Sequence, residues 1–285
     1  MRVLLTGSQG FTGQHFVAAA RLAGWEMVAL QADLTEPEAV TAEVLRVAPD
    51  YVVHLAAISF VAHHDQVALY GVNVFGTLNL LEALARLPVS PRRVLIASSA
   101  NVYGNALVSP ISEDMPPAPV NHYAASKLVM EHLARTYSDR LRIMIVRPFN
   151  YTGVGHSLDF LIPKLVDHFA KRAAQIELGN LSVEREFNDV RMVVDAYMRL
   201  LNAPTDNEII NVCSGKPVAL REVLQVLSSL TGHSIEVIVN PAFVRKNEVH
   251  RLCGQNRKLV STIGELKSFR LEDTLAWMIA AARPE

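Results

Sequence analysis

The sequence predicts an α/β protein, with a parallel sheet covered on both faces and a smaller lobe after it. Three observations carry this. Short apolar strand candidates alternate with helix-compatible stretches, the pattern of strands crossing over through helices. A glycine-rich turn, Gly7 to Gly13, joins the first strand to the first helix. After Pro148 the alternation gives way to an irregular, Gly- and Pro-containing stretch.

Arg2-Val3-Leu4-Leu5 suits a buried strand over 2–6, and 14–23 suits a helix. Between them, Gly7 can make the tight turn, Gly10 lets backbone approach a diphosphate, and Gly13 lets helix pack on strand. A diphosphate there would sit on the helix N-terminus, where unpaired N–H groups and the dipole favour anions. Gly7, Gln9, Gly10, Phe11, Thr12 and Gly13 are therefore candidates for a dinucleotide cofactor. The second strand, 26–30, runs into Ala32-Asp33-Leu34-Thr35. No acid precedes Asp33, and no Arg is near to meet a 2′-phosphate. Asp33 and Leu34 are expected to line the adenine pocket, and the choice between NADPH and NADH stays open.

Further strands are expected at 51–55, 93–97, 142–147 and 208–212, with helices at 36–48, 66–86, 122–138 and 189–202. Pro116-Pro117-Ala118-Pro119 forms a loop before the 122–138 helix. The stretch 151–186 reads as irregular apart from a helix near 159–173. Then come a helix (219–231), a strand (235–239), a loop (240–250) and a final helix (271–282). The expected division is a dinucleotide-binding domain, 1–150 completed by 187–212, and a substrate lobe, 151–186 with 213–285.

The chain has 285 residues, half of them hydrophobic, and a formal net charge of −1. Nothing global argues for nucleic acid or a membrane surface, so anionic ligands must be met locally. Cys213 and Cys253 are far apart, in no CxxC pattern, and are expected to be buried thiols in a reducing cytoplasm. No signal peptide is expected before Arg2, and no apolar run is read as reaching membrane-spanning length. His63-His64-Asp65 lacks partners at ligand spacing, so no metal site is expected.

Tyr123-Ala124-Ala125-Ser126-Lys127 is the most telling segment. On a helix, Tyr123 and Lys127 form an i, i+4 pair on one face. A phenol is a poor acid–base group at neutral pH, and a neighbouring ammonium is expected to pull its pKa down toward the working range.

Several motifs follow one another in order: Thr6-Gly7-x-x-Gly10-Phe11-x-Gly13, His54-Leu55-Ala56-Ala57, Asn73-x-x-Gly76-Thr77, Ser98-Ser99-Ala100-Asn101-Val102-Tyr103-Gly104, Tyr123-x-x-x-Lys127, Arg147-Pro148-Phe149-Asn150 and Arg185-x-Phe187-x-Asp189-Val190. Together they resemble the extended short-chain dehydrogenases/reductases. The resemblance implies a Rossmann-type doubly wound sheet and a nucleotide-sugar substrate. It makes Ser99 the hydroxyl that binds the substrate oxygen, Tyr123 the proton donor, and Lys127 the holder of the nicotinamide ribose. It adds Leu55, Ala56, Ala57 and Pro148 to the cofactor site, and implies a homodimer through the helices at 66–86 and 122–138.

Dehydratases of this family carry an acid two residues after the catalytic Ser or Thr; here it is the neutral Asn101. Epimerase-reductases carry a Cys directly after the serine; here it is Ala100. Both absences favour plain ketone reduction. Arg245-Lys246-Asn247-Glu248-Val249 resembles the element with which relatives grip GDP-sugars, an Arg forked onto the diphosphate and a carboxylate on the ribose. Asn101, Asn150, Asn180, Leu181 and Arg185 complete the substrate residues that the resemblance implies. The ensemble looks most like GDP-6-deoxy-D-mannose (GDP-rhamnose) reductases. The expected reaction reduces the C4 ketone of GDP-4-dehydro-6-deoxy-D-mannose; a 4-epimerase with tightly bound NAD is the alternative. Val154 and Met192 depart from the family pattern, where Pro and Asp are usual.

Overall fold

The computed structural model describes residues 1–61, 63–243 and 251–282. Its centre is a six-stranded sheet. In chain order the first five strands are β1 (Arg2–Thr6), β2 (Glu26–Ala29), β3 (Tyr51–His54), β4 (Arg93–Ala97) and β5 (Ile143–Pro148). Later come β6 (Gln175–Leu178), β7 (Glu208–Val212) and β8 (Glu236–Val239). The sheet order is β7-β5-β4-β3-β1-β2, and every pairing is parallel. All residues of β3 and β5 are buried, which is why these strands read as unbroken apolar runs: the sheet is covered on both faces.

The helices covering it are α1 (Phe11–Leu22), α2 (Pro37–Val47), α3 (Gln66–Ala85) and α4 (His122–Arg135). They are followed by α5 (Leu161–Ala170), α6 (Val190–Leu201), α7 (Leu220–Thr231), α8 (Arg257–Ile263) and α9 (Leu271–Ala282). One core packs α1 and α6 on the sheet through Phe16, Ala20, Val193, Tyr197 and Leu200. The opposite core packs α2, α3 and α4 through Val40, Val44, Leu80, Leu84, Met130 and Ala134. A third core is built separately from Ile162, Leu165, Phe169, Ile176, Leu178, Val223, Leu227, Leu275 and Met278. It joins α5, α7 and α9 with β6, which pairs with β8 in its own small parallel sheet.

The chain winds outward from β1 to β2, then returns across it to β3. That reversal opens a crevice at the carboxyl ends of β1 and β3, the place where doubly wound sheets bind ligands.

Three elements differ from expectation. The stretch 151–186 contains β6, missed because four residues between a helix and a glycine offer little periodicity. α8 was not foreseen; it is only seven residues long. α3 reaches 20 residues and is apolar enough to cross a membrane by length and composition, contrary to the reading of the sequence. Half of it is buried within the fold, against α2 and α4. A widened turn, Gly71–Gly76, interrupts it and carries Asn73.

Candidate active site

The glycine-rich turn lies at the crevice. Gly7 has φ +72°, and a Cβ there would come within 2.7 Å of the Ala56 nitrogen. The turn after β1 and the exit of β3 therefore touch backbone to backbone, which only glycine allows. A Cβ at Gly13 would meet the Gly7 carbonyl and lie 2.8 Å from Ser8 Cα, so α1 also sits directly on the turn. The α1 N-terminus has no side-chain cap. Its first N–H groups remain available to an anion, and the cradle fits the diphosphate of a dinucleotide.

Buried hydrogen bonds hold the exit of β3. Thr77 Oγ1 donates to the Asn73 carbonyl (2.8 Å), so toward His54 Nε2 (2.8 Å) it can only accept. The imidazole thus carries its proton on Nε2 and accepts at Nδ1 from Thr6 Oγ1 (2.7 Å). Thr6 Oγ1 in turn accepts the Ala56 N–H (3.1 Å). Burial pushes the His54 pKa down to about 3, so the ring stays neutral. Asn73 accepts from Ile58 N (2.8 Å) and donates to Ile58 O (3.1 Å), pinning the loop that carries Leu55, Ala56 and Ala57. It also donates to Ser126 Oγ, which donates to the Tyr123 carbonyl.

Ser99 follows β4 and caps a short 3-10 turn by accepting the Asn101 N–H (3.1 Å). Asn121 caps α4 by accepting from Ala124 N (2.8 Å), which sets Tyr123 in the first helical turn. The Tyr123 phenol lies beside Ser99, close enough for the serine hydroxyl to act on its pKa. One turn on, Lys127 Nζ donates to the Ala97 carbonyl at the end of β4 (2.9 Å). Ser99, Tyr123 and Lys127 are all buried.

One expectation is overturned. Burial dominates at Tyr123 and pushes its pKa up to about 12; the neighbouring Ser99 hydroxyl offsets this in part. Lys127 is not among the groups that lower it. Burial instead brings Lys127 down to about 8, against the opposing pull of Glu131. The resting pair is a protonated phenol above an ammonium close to losing its proton.

The other candidates are distributed as follows. Asp33 is exposed after β2 and accepts from Thr35 N and Oγ1, closing a local turn. The Leu34 side chain is buried in the core beneath α3, so what it presents to the crevice is backbone. Gln9 is exposed, and its carbonyl accepts from Gln14 Nε2. Thr12 Oγ1 hydrogen-bonds the Tyr151 hydroxyl (2.7 Å). Pro148 ends β5 beside Val212. Asn150 is exposed just beyond it, its carbonyl taking the Asn188 N–H. Asn180 Oδ1 folds back onto Ser182, Leu181 packs on the third core, and Arg185 donates to the Glu184 carbonyl. Arg245 and Glu248 lie outside the described residues. Among the described residues, no three His, Cys, Asp or Glu side chains group to hold a metal.

Sequence reasoning missed the carboxylates beneath the site. Glu131 accepts from Arg147 Nε (2.9 Å) and Nη2 (2.6 Å) and from Ser98 Oγ. Its position four residues after Lys127, on the stripe of Tyr123, was the available signal. Glu186 accepts four bonds, from Ser214 N and Oγ, Gly215 N and Gly254 N. Both carboxylates are buried and committed, and neither can remove a ring proton. Cys213 and Cys253 are free and buried. Burial raises both thiols, Cys253 to about 11, so neither is a thiolate at neutral pH.

Crevice and uncapped helix, with the buried Ser99, Tyr123 and Lys127 beside them, define a Rossmann-type dinucleotide-binding fold. The chain belongs to the NAD dependent epimerase/dehydratase family, which its residues 3–213 match. It is 37% identical over 269 residues to the GDP-6-deoxy-D-talose 4-dehydrogenase of Aggregatibacter actinomycetemcomitans, covering 93% of this chain and 92% of that one. It is 33% identical to the GDP-6-deoxy-D-mannose reductase of Pseudomonas aeruginosa, covering 96% and 94%. The solved structure of RMD from Pseudomonas aeruginosa complexed with NADPH superposes with a TM-score of 0.92 at 31% identity, over 99% of this chain and 98% of that one.

Proposed function

We propose that this protein is an oxidoreductase of GDP-deoxysugars. It reduces the C4 ketone of GDP-4-dehydro-6-deoxy-D-mannose with NADPH or NADH, giving GDP-D-rhamnose or its C4 epimer GDP-6-deoxy-D-talose. The observation that carries the reading is the buried Tyr123 phenol, set beside Ser99 and one helical turn before Lys127, with burial pushing its pKa up to about 12. Such a group is loaded with its proton at any physiological pH. It is suited to donate to a new alkoxide.

A bound reduced nicotinamide would supply the hydride for the ketone carbon. Ser99 hydrogen-bonds the ketone oxygen, Tyr123 protonates it as it becomes an alkoxide, and Lys127 holds the ribose beside the phenol. Asn101 and Ala100 stand where a dehydratase acid and an epimerase-reductase cysteine are expected, and Glu131 and Glu186 are held by other partners, which favours plain reduction. The epimerase alternative is not favoured, because the relatives named above act as a 4-dehydrogenase and a reductase. In this reading 1–150 with 187–212 holds the dinucleotide, and 151–186 with 213–285 holds the nucleotide sugar. Exposed Val67, Phe75 and Val129, on α3 and α4, serve a homodimer contact in the cytoplasm; sedimentation tests the dimer.

The test supplies GDP-4-dehydro-6-deoxy-D-mannose, made in situ by a dehydratase, with either reduced cofactor, and follows cofactor oxidation with NMR of the sugar. One new GDP-deoxysugar is expected, and NMR separates rhamnose from talose. No oxidation with either cofactor sinks the GDP-deoxysugar reading.

A further inference from the structure

The first turn of α1 is tied to the loop after β5 at several points. Thr12 Oγ1 meets the Tyr151 hydroxyl at 2.7 Å, and His15 Nε2 donates to the Val154 carbonyl at 2.8 Å. The Phe11 ring runs nearly parallel to Tyr151 (centroids 5.9 Å, 17°) and lies flat on His156 (4.3 Å, 7°). His156 also stacks on Phe160 (4.2 Å, 29°). Two near-parallel rings that close must occupy opposite faces, so the imidazole is sandwiched. Phe160 immediately precedes α5, whose Ile162 and Leu165 belong to the third core. A ladder of rings, Tyr151–Phe11–His156–Phe160, thus leads from the glycine-rich turn into the second lobe.

Phe11 is the first residue of α1, and its backbone N–H belongs to the uncapped turn. Holding its ring therefore holds part of the diphosphate cradle. Burial keeps His156 near pKa 4, so it stacks as a flat neutral ring at neutral pH.

We propose that His156 is a positioning residue: it fixes Phe11, and with it the diphosphate-binding turn, against the nucleotide-sugar lobe. A dinucleotide on α1 and a nucleoside diphosphate on the second lobe then strengthen each other's binding. The ladder joins the two sites, so a ligand that steadies one end also steadies the other and lowers the cost of binding there. The coupling is reciprocal. This inference rests on the reading that the second lobe takes a GDP-sugar.

The test is calorimetric titration of NADP⁺ into wild type, His156→Leu and His156→Phe, each with and without saturating GDP. In wild type, GDP is expected to tighten NADP⁺ by about fivefold or more. His156→Leu keeps apolar volume but no flat face. It should bind NADP⁺ alone about three- to tenfold more weakly and lose the response to GDP, and His156→Phe should restore both. Circular dichroism melting confirms that each variant is folded. Equal NADP⁺ affinity in the Leu and Phe variants overturns the proposal. If GDP fails to bind wild type, the GDP-sugar reading falls, while the Leu-against-Phe comparison still decides whether the ladder positions the turn.

Discussion

Helix α4 carries two buried polar clusters one turn apart, and they are built on opposite terms. At its N-terminus, Tyr123 and Lys127 are buried with few partners, so desolvation dominates: one pKa rises to about 12 and the other falls to about 8. One turn below, Glu131 is equally buried but receives both prongs of the Arg147 guanidinium and the Ser98 hydroxyl. Arg147 is held charged by that carboxylate and lies 4.8 Å over the Tyr103 ring, and Tyr103 continues to Asn211 (2.7 Å). The lesson is that burial alone does not mark function. The cluster that gives up solvation without full compensation is the one left able to react.

Substitutions separate the two. Tyr123→Phe should lower turnover by about 10²- to 10⁴-fold and leave the melting temperature nearly unchanged, since the ring's packing remains; unaltered turnover would remove Tyr123 from the mechanism. Arg147→Met should do the reverse in kind. It strands the Glu131 charge in the core and should cost about 3–5 kcal/mol of stability, measured by denaturant unfolding. Adding Glu131→Leu to it should recover much of that loss, because an apolar pair replaces an ion pair. Failure of the double variant to recover would mean that Glu131 also serves Lys127.

pH sharpens the comparison further. Lys127 releases its proton near 8 in the folded protein but only near 10.5 when unfolded. Between these values the unfolded chain binds more protons, so the Lys127 contribution makes stability rise with pH across that window. Activity that needs its cation should fall as pH passes about 8. The two trends should run in opposite directions in wild type, and the rise in stability should be absent from Lys127→Met. The smallest effect is expected in the core beneath α6. The Tyr197 hydroxyl is fully buried and has no hydrogen-bond partner among the described residues. Tyr197→Phe removes an uncompensated polar group and should stabilise by about 1 kcal/mol; a lower melting temperature would show that the hydroxyl is satisfied.

Much of the geometry of the candidate site is local and was therefore legible. Gly7, Gly10 and Gly13 lie within a single strand–turn–helix, and Tyr123 and Lys127 within two turns of one helix. The strands of the main sheet could be located because each is a short apolar run flanked by helices. The substrate residues were harder. Asn180 turned out to close its own turn on Ser182, and Leu181 to pack inward, because an isolated polar or apolar residue in an irregular stretch carries no sign of where it points.

By itself, then, the sequence determined the wound parallel sheet, the glycine-rich strand–turn–helix and the Tyr123–Lys127 pair on one helix face, all encoded by local spacings. Only the tertiary structure decided the protonation order of Tyr123 and Lys127, the commitment of Glu131 and Glu186, and the ring ladder through His156. Each of these depends on how much water is excluded and on partners from distant segments: Glu186 meets Gly254, and Phe11 meets His156. Desolvation and long-range pairing are properties of the packed chain, and no local pattern of residues records them.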